Sequence, residues 1–216
     1  MENFYFNNKT FLLLNYLKFI MDKVRELTLI NLFRALDGIY GPNYECKHYP
    51  CHFSGQDCSF CYCPFYPCLL YDLGGELVES NGSIVWSCKN CSWIHEKENV
   101  EEIIFALGRY SKQKLIESDW LFFNQILQEL YYGEILGMKL DKCYNLMPAI
   151  LRNKQCKELK KDVEFLAVKI VDFKITNVRK IRRIDEANNE VVIPLKDGNI
   201  LYGIDKKGKK VVCSIT

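Results

Sequence analysis

Between Glu45 and His95 the chain places eight of its eleven cysteines and all three of its histidines. The spacing runs Cys46-x4-Cys51, x6 to Cys58, x2 to Cys61, x to Cys63, x4 to Cys68, then nineteen residues to Cys88, x2 to Cys91 and x3 to His95. Thiols crowded this densely serve disulfides, metal ligation or catalysis. An odd cysteine total and no visible secretory leader go against a disulfide framework, because disulfides do not persist in a reducing compartment. No P-loop, G-x-G-x-x-G or nucleophile elbow accompanies the segment, so no catalytic pattern claims the thiols either. Metal ligation is the reading that remains, with metal ions as the first expected partner.

A C-x2-C turn aims two thiolates at one ion, and two such turns joined by a hairpin make a tetrahedral zinc-ribbon site. Cys58/Cys61 and Cys88/Cys91 stand in that relation, on either side of an Asn81–Gly82 turn signal. Cys46, Cys51, Cys63 and Cys68 then remain, with His52 and His95 available, and a second four-ligand site accommodates them economically. The candidate ligands are therefore Cys46, Cys51, His52, Cys58, Cys61, Cys63, Cys68, Cys88, Cys91 and His95; spacing alone does not divide them between ions. One or two Zn2+ ions are expected, because imidazole beside Cys51 and after Cys91 suits zinc. An iron–sulfur cluster is the alternative, since tetrahedral thiolate sites serve both metals, although the C-x2-C-x2-C-x3-C run is absent. His48 and His52 read equally well as surface residues. The interleaved aromatics, among them Phe60, Phe65, Trp86 and Trp93, read as shielding for a module with little core. A stacking platform for bases is disfavoured because the segment holds only Lys47 and Lys89 to neutralise phosphates.

The rest of the chain predicts an α+β fold in four parts: an N-terminal helical segment over 1–42, the cysteine-rich domain over 43–107, a helical connector over 108–160 and a small antiparallel β domain over 161–216. Residues 11–36 read as amphipathic helix, stopped by Asp37–Gly38 and Gly41–Pro42. Charges at Lys9, Lys18 and Asp22 bracket and interrupt the apolar run Phe11–Ile20, which argues against a membrane span or signal peptide. A cytoplasmic protein is expected, with Met21 a candidate alternative start. Glu76–Glu79 and Ser83–Ser87 flank the Asn81–Gly82 turn as hairpin strands. Val100, Ile103, Ile104 and Leu107 fall at helical spacing, and Ser118–Asp119 reads as the cap of a helix with Trp120, Phe123, Ile126, Leu127 and Leu130 on one face. Met147–Asp162 reads as a third, weaker helix, and strands follow from Val163. Cys143, Cys156 and Cys213 read as isolated thiols.

Together, "ECKHYPCH", "DCSFCYCPFYPC" and "VWSCKNCSWIH" resemble the cysteine-rich small domain family, over about residues 43–107. The family pattern, C-x4-C-H, then C-x2-C-x-C-P-x-Y-P, then C-x2-C-x3-H, is met by Cys46, Cys51, His52, Cys58, Cys61, Cys63, Pro64, Tyr66, Pro67, Cys88, Cys91 and His95. The resemblance implies a metal-binding module, sometimes fused to enzymes of cobamide biosynthesis and linked there to handling L-threonine or its phosphate. Some members lack a cysteine at the place of Cys68.

The leading expectation is a cytosolic protein whose closed, sulfur-rich metal sites are structural. A first alternative is an enzyme or accessory of cobamide biosynthesis, of the L-threonine phosphorylation type, with a small-molecule substrate. A second is a module that binds nucleic acid or a protein partner through the C-terminal sheet. From Lys160 onward that region carries 13 Lys and Arg against 8 Asp and Glu. A formal net charge of +2 for the whole chain speaks against nucleic acid as a general partner.

Overall fold

The computed structural model of the protein describes residues 23–133 and 140–215. The expectations for residues 11–22 and for Met21 lie outside them. The fold is α+β, and contacts divide it into two compact units. The first comprises the chain up to Pro64 together with Ile94–Ile116; the second comprises Phe65–Trp93 with the chain from Glu117. This division runs through the cysteine-rich segment rather than around it.

In the first unit, α1 (Lys23–Leu36) buries Thr28, Leu29, Leu32 and Ala35. It packs against α2 (Lys97–Gly108), which buries Val100, Ile103, Ala106 and Leu107 as the 3.6-residue rhythm predicts. The end of α1 is a Schellman motif. Gly38 is left-handed at φ 85°, its N–H donates to the Ala35 carbonyl, and the Ile39 N–H donates to the Arg34 carbonyl at 2.9 Å. The short α3 (Lys112–Glu117) is tied to α1 by the Arg25 guanidinium, which donates to the Leu115 carbonyl at 3.3 Å, and by the Lys112–Asp37 pair at 2.7 Å. Residues 37–64 contain no helix or strand.

The second unit opens with the hairpin β1 (Glu76–Ser80) and β2 (Ser83–Ser87), paired in register from Glu76↔Ser87 to Ser80↔Ser83. Asn81 and Gly82 both take positive φ, 51° and 74°, the requirement of a type I′ turn. α4 (Trp120–Tyr132) is capped as predicted: Asp119 Oδ1 accepts the Phe122 N–H at 3.0 Å. We expect Asp119→Ala to lower stability by about 1 kcal/mol, read from denaturant unfolding at unchanged m-value.

Two four-stranded sheets complete this unit. One is ordered β3 (Tyr144–Asn145), β7 (Val191–Ile193), β5 (Phe165–Val171), β6 (Lys174–Ile181); the other β4 (Cys156–Glu158), β10 (Lys210–Ser214), β9 (Ile200–Ile204), β8 (Leu195–Asp197). β3, which lies in the stretch expected to be a helical connector, pairs parallel with β7, while the pairings among the strands from β4 onward are antiparallel. Phe165, Ala167, Val168, Val191, Val192, Ile193 and Leu201 are fully buried and form the apolar centre. The predicted third helix shrinks to one turn, α5 (Met147–Ile150). Cys156–Glu158 is strand because β10 offers it a ladder, and that pairing outweighs a modest helix propensity. Cys156 and Cys213 stand opposite each other in that ladder and are joined by a disulfide, which corrects their reading as isolated thiols. Cys143 is free and buried.

Beside the sheets, Asp72 Oδ1 meets the Lys154 ammonium at 2.8 Å while Asp72 Oδ2 accepts the Tyr132 hydroxyl at 3.0 Å. Both charged side chains are nearly buried, 14% and 12% exposed. The C-terminal cations are largely matched by carboxylates. Arg179 holds Glu190 at 2.6 Å, Lys180 holds Glu164 at 3.3 Å, Lys209 holds Glu158 at 2.8 Å, and Lys210 pairs with Asp162. Among the described residues no helix is long and apolar enough to cross a membrane.

Candidate metal centres

In the first unit the cysteine loops are built from tight turns rather than from regular structure. The Tyr49 N–H donates to the Cys46 carbonyl at 2.9 Å and the Cys61 N–H to the Cys58 carbonyl at 3.4 Å, so each thiol pair starts on a turn. The Cys58 turn is fastened at its base by the Gly41 carbonyl, which accepts the Cys58 N–H at 2.9 Å, while Ser59 Oγ accepts the Gly41 N–H at 3.1 Å. Asp57 Oδ1 accepts the Ser59 N–H at 2.7 Å, fixing the loop one residue further on.

Gln56 and Asp57 are buried, and nothing in the spacing singled them out. Gln56 Oε1 accepts the His52 N–H at 2.7 Å, and its Nε2 lies 3.9 Å from the Cys58 sulfur. One side chain thus links the Cys51–His52 loop to the Cys58–Cys61 turn. Its role depends on a loop already folded, so no local signal in the chain announces it.

Four thiols gather here. Cys58 lies within hydrogen-bonding reach of Cys61, and the neighbours acting on Cys61 are Cys58, Cys51 and Cys46. Cys61 is exposed as a residue, yet its sulfur is partly desolvated. That desolvation, then like charge from Cys58, Cys51 and Cys46, pushes its thiol up to about 11. Such a group gives up its proton to a metal ion and not to neutral water.

The two imidazoles stack on each other, ring centroids 4.6 Å apart and planes 22° from parallel. His95 is buried and His52 exposed. His95 Nδ1 is 2.8 Å from the Asp57 carbonyl oxygen, which only accepts, so Nδ1 carries the proton and Nε2 keeps its lone pair. The same residues are tied a second time by the Asp57 N–H donating to the His95 carbonyl at 2.9 Å. A backbone carbonyl on Nδ1 is the support that ligating histidines commonly use.

Burial pulls the His95 pKa below its ordinary value; the Asp57 carbonyl opposes this and His52 adds to it. In the unfolded chain histidine takes up a proton near pH 6.5, whereas native His95 waits for lower pH. The contribution to stability is therefore fully present above about pH 6.5 and is lost as pH falls toward the depressed native value. Urea unfolding of the metal-free protein should show this loss, and His95→Gln should flatten it.

In the second unit, Cys68, Cys88 and Cys91 form another group. β2 delivers Cys88, and the Cys91 N–H closes its turn on the Cys88 carbonyl at 3.0 Å. That turn rests on Gly74, left-handed at φ 81°, where a Cβ would stand 2.4 Å from the Asn90 carbonyl oxygen. Cys68 is held from α4: Asn124 donates to the Cys68 carbonyl at 3.1 Å, and the Trp120 indole donates to the Pro67 carbonyl at 2.9 Å. Cys68 and Cys91 are buried. Burial, then Cys91, pushes Cys88 up to about 12; burial, then Cys88 and Cys91, raises Cys68 further.

The two C-x2-C turns fall in different compact units, Cys58/Cys61 in the first and Cys88/Cys91 in the second. Cys63, half-buried, is the penultimate residue of the first unit's leading stretch. Among the described residues no three His, Cys, Asp or Glu side chains stand ready at ligating geometry.

The cysteine-rich small domain matches this chain over residues 38–115. An uncharacterized protein of Methanocaldococcus jannaschii is 40% identical over 92 residues, which cover 43% of this chain and 76% of that protein. A protein of Methanothermobacter thermautotrophicus named as a probable cobalt-factor III C(17)-methyltransferase is 52% identical over 68 residues, 32% of this chain. The match spans about a fifth of the length of that methyltransferase, 19%. No solved structure matches. The chain belongs to the cysteine-rich small domain family.

Proposed function

We propose that this chain is a metal-binding protein whose thiolates hold structural zinc. The observation that carries the reading is the stretch 37–64. It has no helix or strand, yet it buries Gln56, Asp57 and Phe60 and draws Cys46, Cys51, Cys58 and Cys61 together. A loop of that length inside a compact unit needs a staple, because turns alone bury too little apolar surface to offset ordering so many residues. The donor chemistry fits the ion: soft thiols on tight turns, with a neutral imidazole nearby whose Nε2 lone pair is free of a proton. Bound zinc would supply cross-linking; the chain supplies the turns, Gln56 as a brace and the aromatic cover of Phe60. An iron–sulfur cluster is the alternative occupant of the same thiols.

Thiol accessibility tests the reading. In zinc-loaded native protein, Cys46, Cys51, Cys58 and Cys61 should resist alkylation, whereas in the metal-free protein the exposed Cys51 and Cys61 should react. Equal labelling in both samples would overturn it.

A second reading is favoured by the relative named as a probable cobalt-factor III C(17)-methyltransferase. It makes this chain an accessory or enzyme of cobamide assembly. The step would transfer the γ-phosphoryl group of ATP to the L-threonine hydroxyl, releasing ADP and a proton. An assay of that transfer with Cys88→Ser as control decides it; absence of turnover removes the enzymatic form.

A further inference from the structure

We propose that Cys156 and Cys213 form a thiol–disulfide exchange site, set apart from the candidate metal ligands, at which a dithiol releases the outer strand β4 and a disulfide oxidant fastens it again.

Access to the bond is one-sided. β4 is the outermost strand of its sheet, and all three of its residues are exposed, Cys156 among them. Cys213 lies one strand inward, on β10, and is 1% exposed. A thiolate arriving from solvent therefore meets the Cys156 sulfur and not its partner. It bonds to Cys156 Sγ, the Cys156–Cys213 bond breaks, and Cys213 leaves with the electron pair and takes up a proton. The second thiolate of the dithiol then attacks the first within the mixed disulfide, closes its own S–S bond and releases Cys156, which is protonated in turn. Two electrons pass from the dithiol to the cysteine pair. A small disulfide such as that of glutathione takes them back in the reverse reaction.

Little else holds β4. It matches β10 over three pairs, from Cys213↔Cys156 to Val211↔Glu158, and the ladder ends with the Leu159 N–H donating to the Lys210 carbonyl at 2.8 Å. No side chain of β4 is buried, so no apolar area anchors the strand. The Lys209–Glu158 pair beside it is more than half exposed on both sides, where such pairs contribute little. The disulfide is thus the main hold on β4, and reducing it frees the strand and the outer edge of β10.

The flanks keep the freed strand close. Two residues before Cys156, Lys154 is nearly buried against Asp72. Beyond the strand, the chain enters β5 at Phe165, which is fully buried. Opening is confined between these anchors, so the two sulfurs stay at high effective concentration and the bond re-forms readily. The other nine cysteines are free, so this bond belongs to no disulfide framework. A single accessible disulfide among free thiols fits the exchanging kind.

The test is a titration of the native full chain with dithiothreitol. Free thiols are trapped with one alkylating reagent and, after denaturation and full reduction, the remainder with an isotopically distinct one, read peptide by peptide. Before reduction Cys156 and Cys213 should take only the second label. With dithiothreitol they should take the first, while buried Cys143 still does not. Amide-exchange protection should be lost over 155–160 and kept over β5 and β6, and glutathione disulfide should reverse both changes. Cys156→Ser/Cys213→Ser should show the same loss without dithiol, and dithiothreitol should not alter it further. Cysteines 156 and 213 that stay free after glutathione disulfide overturn the proposal. So does a bond that yields only when Cys143 is labelled too, which would make it a permanent staple. Unchanged protection over 155–160 on reduction also overturns it. All three readings come from wild type, so they stand even where the variant does not fold.

Discussion

Stripping zinc from the protein with a strong chelator should abolish amide-exchange protection across residues 41–64 and restore it when zinc returns. The expected effect is large because binding and local folding are one event when the ligands sit on loops: structural zinc in small domains contributes about 10–16 kcal/mol. Against that, the turns at Cys46, Cys58 and Gly41 offer isolated hydrogen bonds worth about 1 kcal/mol each. α1 and α2 pack on each other through Leu29, Leu32, Ile103 and Leu107, so their amides should outlast those of the loop. Hydrogen exchange followed by peptide-level mass spectrometry reads both regions in one experiment. Loss confined to 41–64 is the expected pattern. A loop equally protected with and without metal would mean that turns and the buried Gln56 suffice.

Lys154→Ala should be the most damaging single substitution away from the cysteines, costing the second unit about 3–5 kcal/mol. It removes the ammonium 2.8 Å from Asp72 and leaves a nearly buried carboxylate with the Tyr132 hydroxyl as its remaining partner. The cost arises from the stranded charge rather than from the pair's own strength. The double variant Asp72→Asn/Lys154→Met should accordingly recover much of the loss. Thermal unfolding of the single and double variants measures this; a double variant no better than Lys154→Ala would place the cost in packing instead.

Where the chain carries a local cause, its structure was readable from the sequence. Asn-Gly dictates a turn with two positive φ angles, so the β1–β2 hairpin followed from Asn81–Gly82 alone. Asp119 ahead of an apolar face gave the start of α4, and the Val100–Leu107 periodicity gave α2. Causes that lie far along the chain were not readable. Cys156–Glu158 becomes strand because β10 returns to it some fifty residues later, and only that return brings Cys156 to Cys213. The candidate ligands divide in the same way. Spacing named the cysteines, but x2 spacing is identical at Cys58/Cys61 and Cys88/Cys91, so it paired them with each other. The fold puts Cys58/Cys61 in one compact unit and Cys88/Cys91 in the other, a division set by the whole chain's contacts that spacing does not encode. Gln56 escaped notice because a brace is defined by what surrounds it.

The central claim is that these thiols hold metal, and elemental analysis of protein purified without oxygen tests it most directly. Zinc bound to the chain, with no visible absorption, is the predicted result, and a broad charge-transfer band with iron would move the same ligands to an iron–sulfur cluster. Protein that carries neither zinc nor iron, and still folds with residues 41–64 protected, would contradict the account.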